Sequence, residues 1–334
     1  MTLRMVIKSA SKKTIQEAAS ILIEGGLVGM PTETVYGLAA NALDDKAVAS
    51  IFEAKGRPAF NPLIIHVPDL EAAQNYVEIN DHAKAAAKRF WPGPLTMILP
   101  RKSGCGISEL ASAGLETLAI RVPNHKVAIE LLKSCGVPLA APSANKSGSL
   151  SPTSPVHVHA SLKDKVDMIL AGGASEVGLE STVLDLSGEA PLVLRPGGIS
   201  AEDISEVLGV NVDYAYLHKE GEQKPKSPGM LLKHYAPRIP VRINAVDVAE
   251  DEALLGFGSL KFMGVKGGGF AKDLPEERIR NLSEESDLHE AASNLFAMLK
   301  ELDDSGARAI AVMSLPDVGI GKAINDRLRR AAEG

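Results

Sequence analysis

Eight short apolar runs constrain this chain more than any other feature: residues 27–30, 63–67, 95–99, 118–122, 139–141, 168–171, 182–186 and 192–195. None is long enough for a helix, and each is apolar enough to be a strand buried within a sheet. Helical spacing fills the intervals. Residues 11–25 open with a capping serine and repeat apolar side chains at Ile15, Ala18, Ala19, Leu22 and Ile23. Residues 44–54 place Ala47, Val48, Ile51 and Phe52 on one face, and 81–90, 126–134 and 201–208 are also read as helices. The alternation is irregular, which predicts an α/β domain around a twisted mixed sheet rather than strictly wound βαβ units.

The texture changes near Leu208. The stretch YLHKEGEQKPKSPGMLLKHYAPRIP is rich in Lys, Pro and Gly and weakly periodic, as expected of a linker joining compact units. Beyond it, strands at 241–245, 254–259 and 309–314 and helices at 286–302 and 321–332 predict a smaller, Rossmann-like α/β domain. Its KGGGF at 266–270 is not a GxGxxG fingerprint and carries no nucleotide-binding weight. The expected organisation is a domain at 1–208, a linker at 209–240 and a second domain at 241–334.

Charge and cysteine usage exclude several classes. Residues 1–239 hold 24 basic against 25 acidic side chains, and residues 240–334 hold 12 against 17, so neither part is a basic nucleic-acid tail. Cys105 and Cys135 stand far apart without CxxC spacing, which predicts inert thiols in a reducing cytoplasm rather than a zinc site or a disulfide framework. No signal-peptide-like apolar run opens the chain, and no window reaches membrane-span length, so a cytoplasmic protein without a membrane partner is expected.

Polar residues gather where a simple turn would not require them. After the run at 27–30 come Thr32, Glu33, Thr34 and Tyr36. KGRPAFNPLIIHV at 55–67 places Lys55, Arg57, Asn61 and His66 around an apolar strand, and AIRVP at 119–123 sets Arg121 among buried residues. APSANKSGSLSPT, GLESTV and LRPGGIS add hydroxyls, glycines, Lys146 and Arg195. Each segment alone admits an ordinary account: caps and turns for the serines, a paired arginine for Arg121, a hydrogen-bonded histidine for His66. Together they flank strands and hold five cations, Lys55, Arg57, Arg121, Lys146 and Arg195, beside Glu33 and Glu180. Hydroxyls, glycine-rich backbone and guanidinium forks are the donors a phosphate or carboxylate requires, so a polyanionic ligand is expected. There is no GxxxxGK[ST], which excludes a P-loop.

In order along the chain, PTETVYGLAANA, KGRPAFNPLIIHV, WPGPLT, LAIRVPNH, PSANKSGSLSPT, GLESTV, LRPGGI and SPGMLLKHYAP resemble the YrdC-type threonylcarbamoyl-AMP synthases in their longer, two-domain form. The resemblance spans residues 10–240 by motif, and GIGKAINDRLRRAA at 319–332 resembles the end of the second domain. It implies a YrdC-like twisted sheet with a cationic cavity, and a nucleotidyltransferase. This enzyme would condense L-threonine, bicarbonate and ATP into threonylcarbamoyl-adenylate and pyrophosphate, for modification of an adenosine beside the anticodon of tRNA. Separate tRNA threonylcarbamoyl-transfer proteins would be its downstream partners, while direct contact with nucleic acid is left open.

Carried over by position, the resemblance puts Thr34, His66, Arg121, Ala141 and Ser181 around L-threonine, with Arg121 on its carboxylate. It puts Lys55, Arg57, Asn61, Thr117, Ser143, Asn145, Ser151, Arg195, His234 and Tyr235 on ATP, with Lys55 and Arg57 as the catalytic cations on its phosphates. Mg²⁺ would accompany the nucleotide, and because few carboxylates are available it would be held mainly by phosphate oxygens and water. Tyr36 is read as a wall of the pocket, Glu33 receives no role, and the linker becomes a lid over the adenylate. Two rivals stand beside this expectation. One is a maturation enzyme using carbamoyl-adenylate, which would normally carry zinc-finger cysteines. The other is a double-stranded RNA-binding module, against which a 4% aromatic content and the near-neutral first domain argue.

Overall fold

The structure is a computed structural model and describes residues 6–215, 235–261, 263–266 and 268–333. Its contacts divide into two units. The first holds residues 1–147, 152–176 and 180–231, and the second holds 148–151, 177–179 and 232–334. Residues 216–234, most of the expected linker, lie outside the described residues.

The first unit is built on β1 (Ile7–Ser9), β2 (Val28–Met30), β3 (Gly37–Asn41), β4 (Ile64–His66), β5 (Leu95–Pro100), β6 (Thr117–Arg121), β7 (Leu139–Ala140), β8 (Met168–Ala171), β9 (Thr182–Asp185), β10 (Leu192–Arg195) and β11 (Asp213–Tyr214). They form one sheet in the order β1-β8-β2-β3-β7-β4-β6-β5-β9-β10-β11. Parallel and antiparallel pairs mix, as the irregular alternation predicts: β4 runs parallel to β6, while β5 runs antiparallel to β6 and parallel to β9. Its helices are α1 (Lys12–Ile23), α2 (Asp45–Lys55), α3 (Leu70–Ala73), α4 (Asp81–Phe90), α5 (Glu109–Ser112), α6 (Lys126–Cys135), α7 (Pro155–Leu162) and α8 (Ala201–Leu208).

The two faces of the sheet are filled unequally, and this positions everything polar. On one face Leu38, Ile65, Met97, Ile120 and Leu184 pack into a large core with residues of α2, α4 and α8. On the other, α1 and α6 bury Met30, Ala39, Leu139 and Leu170. Farther along that second face, over β4, β6, β5 and β9, the apolar lining shrinks to Ile64, Ile98, Ala119 and Val183 with Leu194 against them. Strand alternation then sets His66 two residues after Ile64, Arg121 after Ala119, Thr96 before Ile98 and Ser181 before Val183, on the same side as these apolar neighbours.

The second unit carries β12 (Val241–Arg242), β13 (Asp247–Val248), β14 (Glu252–Gly256), β15 (Gly264–Val265), β16 (Ile279–Asn281) and β17 (Ala309–Val312), with helices α9 (Leu288–Asp303) and α10 (Gly321–Ala332). Four strands make an all-parallel sheet ordered β12-β17-β14-β16, the Rossmann-like texture the sequence predicts. Ala291, Ala292, Leu295, Phe296, Leu299 and Leu302 recur at helical spacing and are the buried face of α9. No helix among the described residues is long and apolar enough to cross a membrane.

Candidate active site

Arg121 ends β6 rather than sitting inside it, and its register partner on β4 is His66. Both are buried. The Arg121 guanidinium donates to the Thr34 hydroxyl at 2.9 Å, to Glu33 Oε1 at 2.6 Å and to the Gly93 carbonyl at 3.2 Å. Thr34 is held in turn by Thr32, whose hydroxyl lies 2.9 Å away and also bonds the Val35 carbonyl at 2.6 Å. The turn after β2 is thus a rigid mount for two hydroxyls and a carboxylate. His66 sits with Nδ1 3.2 Å from the Ile64 carbonyl. Burial, reinforced by the Arg121 charge, pulls its pKa from 6.5 down to about 3, so the imidazole is neutral in the fold.

A second cluster forms around the end of α2. Asp44 caps its start, and Gly56, with φ 60°, ends it in a left-handed turn that frees the chain to fold back. Lys55 is buried and donates to the carbonyls of Ser143 at 2.5 Å and Asn145 at 2.6 Å. Burial drives its pKa well below the usual lysine range, the Arg57 charge adds to this, and Glu180 opposes it. Arg57 donates to the Asn61 carbonyl at 3.2 Å and the Pro62 carbonyl at 2.9 Å, bracing its own loop. Asn61 is buried, and neither atom of its amide group has a hydrogen-bond partner among the described residues. A buried amide in this state keeps both its donor and its acceptor capacity.

Ser181 links the far strands. Its hydroxyl lies 2.7 Å from that of Thr96, and Arg195 donates to its carbonyl at 2.8 Å and to its hydroxyl at 3.2 Å. The LRPGGIS turn closes on this segment so tightly that a Cβ on Gly197 would lie 2.3 Å from the Thr182 nitrogen. Arg195–Ser181, Glu180 with its charge felt at Lys55, Lys55–Ser143, the bridge from Ser143 to Gly37, and Thr34–Arg121 therefore form one neighbourhood in the first unit.

Not every expected residue joins it in the same way. Ala141 is in place beside β4, but its N–H already donates to the Ile64 carbonyl at 2.9 Å. Thr117 opens β6 four residues before Arg121, about 13 Å along a strand. Ser151 belongs to the second unit, as does Tyr235, whose ring lies 5.6 Å from Phe296 and 5.1 Å from the Arg327 guanidinium. His234 lies outside the described residues. Tyr36 is not an open pocket wall: it is fully enclosed, its hydroxyl donating to the Gly173 carbonyl at 2.6 Å and accepting from the Gly172 N–H at 3.1 Å. Sequence reasoning leaves Glu33 without a role and does not single out Thr96; their signal lies in the TET spacing and in the two-residue step from Thr96 to Ile98.

Comparison with known proteins adds a wider context. A family model described as "Telomere recombination" matches residues 20–197, and one described as "Threonylcarbamoyl-AMP synthase, C-terminal domain" matches residues 199–333. The threonylcarbamoyl-AMP synthase of Pyrococcus abyssi is 41% identical over 95% of this chain and 94% of its own length. That of Bacillus subtilis is 40% identical over 98% and 95% respectively. The crystal structure of P. abyssi Sua5 complexed with L-threonine superposes with a TM-score of 0.85 at 37% identity, covering 98% of this chain and 96% of that one.

Proposed function

The chain belongs to the threonylcarbamoyl-AMP synthase family, and on that premise we propose how its own residues conduct the reaction. It is a nucleotidyltransferase that makes L-threonylcarbamoyl-adenylate for the threonylcarbamoyl modification of adenosine in tRNA. Its substrates are L-threonine, bicarbonate and ATP. The threonine amine captures bicarbonate-derived carbon dioxide as a carbamate, whose oxygen attacks the α-phosphate and expels pyrophosphate. Both reacting groups are anions, so the protein's task is to hold them together against their repulsion, by positioning and fixed positive charge.

The observation that carries this reading is the Arg121 fork, pinned by Thr34 and Glu33 beside a neutral His66. Arg121 receives the threonine carboxylate, with Ser181 and the Ala141 backbone completing the amino-acid side. Lys55, Arg57, Asn61, Ser143, Asn145 and Arg195 receive the nucleotide. Lys55 donates to the Ser143 and Asn145 carbonyls, which fixes its amino group beside the loop that supplies Ser143 and Asn145 to the nucleotide.

The donor set around this site is cationic, and no group of three or more His, Cys, Asp or Glu among the described residues could hold a metal ion. The described residues therefore do not fit a protein-built Mg²⁺ site. An ion accompanying ATP would be held by its phosphates and water, and no step is routed through it. In this reading the product, a labile adenylate, passes to separate proteins that transfer its threonylcarbamoyl group to tRNA, and the enzyme works in the cytoplasm beside them.

Pyrophosphate release by the purified protein tests the reading. Release should require both L-threonine and bicarbonate together with ATP. Equal release with serine, or with no amino acid, would refute the amino-acid site.

A further inference from the structure

We infer that Glu33 binds the α-amino group of L-threonine, an inference that rests on the threonine reading above. Glu33 is buried, at 5% side-chain exposure, and its Oε1 pairs with Arg121 at 2.6 Å. Its Oε2 is enclosed and has no hydrogen-bond partner among the described residues. A buried carboxylate oxygen accepts only, so the missing partner is an N–H or O–H donor, and a cationic N–H satisfies it best.

Arg121 supplies the complementary half. Of its five N–H groups, three are directed at Gly93, Thr34 and Glu33, which leaves two for an incoming carboxylate. An α-amino acid carries its ammonium and its carboxylate on one carbon. A buried Arg–Glu pair with donors left on one partner and an acceptor left on the other presents the matching pattern of charges. The nitrogen keeps at least one N–H as ammonium, as amine, as carbamate and in the finished adenylate, so Glu33 retains a donor through the whole sequence. A residue that served only to orient Arg121 would need one oxygen, and Glu33 has buried two.

Calorimetric titration of the full chain decides the matter, using L-threonine and 3-hydroxybutyrate, the same skeleton without the amine. The parent should prefer L-threonine by at least about thirtyfold. Glu33→Gln keeps an oxygen for Arg121 and should lose about ten- to a hundredfold of threonine affinity, with 3-hydroxybutyrate changed by less than about threefold, so the preference nearly vanishes. Equal binding of the two ligands by the parent overturns the inference, as does a parental preference in Glu33→Gln. If that variant does not fold, the parent comparison still decides. A parent that binds no L-threonine at all refutes the threonine reading, and this inference with it.

Discussion

Arg121 and Glu33 stand or fall together. Removing the guanidinium leaves a buried carboxylate without its partner, a change that costs about 3–5 kcal/mol in comparable buried pairs. Arg121→Ala should therefore lower folding stability by that order in denaturant titration, and raise the threonine KM far more than the ATP KM. Arg57→Ala should do the reverse, damaging ATP use first. Parental kinetics in both variants would refute the assignment of these side chains. His66 makes a separate prediction. Because its folded pKa is about 3 against 6.5 for an ordinary histidine, the unfolded chain binds more protons between those values. Stability is complete above about pH 6.5 and declines as pH falls through the window, by up to about 1.4 kcal/mol per pH unit. Comparing denaturation at pH 4.5 and 7.5 should show a shallower decline in His66→Gln; an unchanged slope would mean the imidazole is already charged in the fold.

At the scale of elements, the apolar runs announced the central strands because burial on both faces leaves no room for polar alternation. Elements with weaker burial were harder to see. The edge strand β1 is only half-buried and so lacks that signature. The residues of α7, PVHVHASL, alternate Val and His like a strand, yet Ser154 caps them and Pro155 fixes the first helical turn. In the second unit β14 begins at Glu252, two residues before the expected start. A buried acid there reads as a loop until its partner Arg242, 2.6 Å away, is known. The candidate site was legible as a set of residue types between strands. The pairing of Glu33 with Arg121 was not, because 88 residues separate them in sequence. Turn geometry yields its own test. A Cβ at Gly197 would also lie 2.5 Å from the Glu180 carbonyl, so Gly197→Ala must push the GLESTV strand from its place. Pyrophosphate formation should fall by more than about tenfold, with a loss of roughly 1–3 kcal/mol in stability; parental activity would show that this close approach is dispensable.

Across the whole molecule, the chain enters its second unit three times, at 148–151, 177–179 and 232–334. Within that unit the Ala236 N–H donates to the Gly148 carbonyl at 2.9 Å, and Gly178 rests on the backbone of α9, where a Cβ would lie 2.5 Å from Ser293 Cα. Arg327 is fully buried between its Asp326 partner at 2.8 Å and the Tyr235 ring. Arg327→Met should destabilise by roughly 2–4 kcal/mol and speed amide hydrogen exchange in α9 and α10, leaving β4–β6 protected. Equal acceleration in both units would refute a local role.

That threading also fixes an order of events during synthesis. Residues 148–151 and 177–179 leave the ribosome before any of 232–334 has been made, and at 5–20 residues per second they wait roughly 5–20 s for their partners. A nascent chain can thus complete its large sheet early, yet two of its turns acquire their final neighbours only when translation is nearly over.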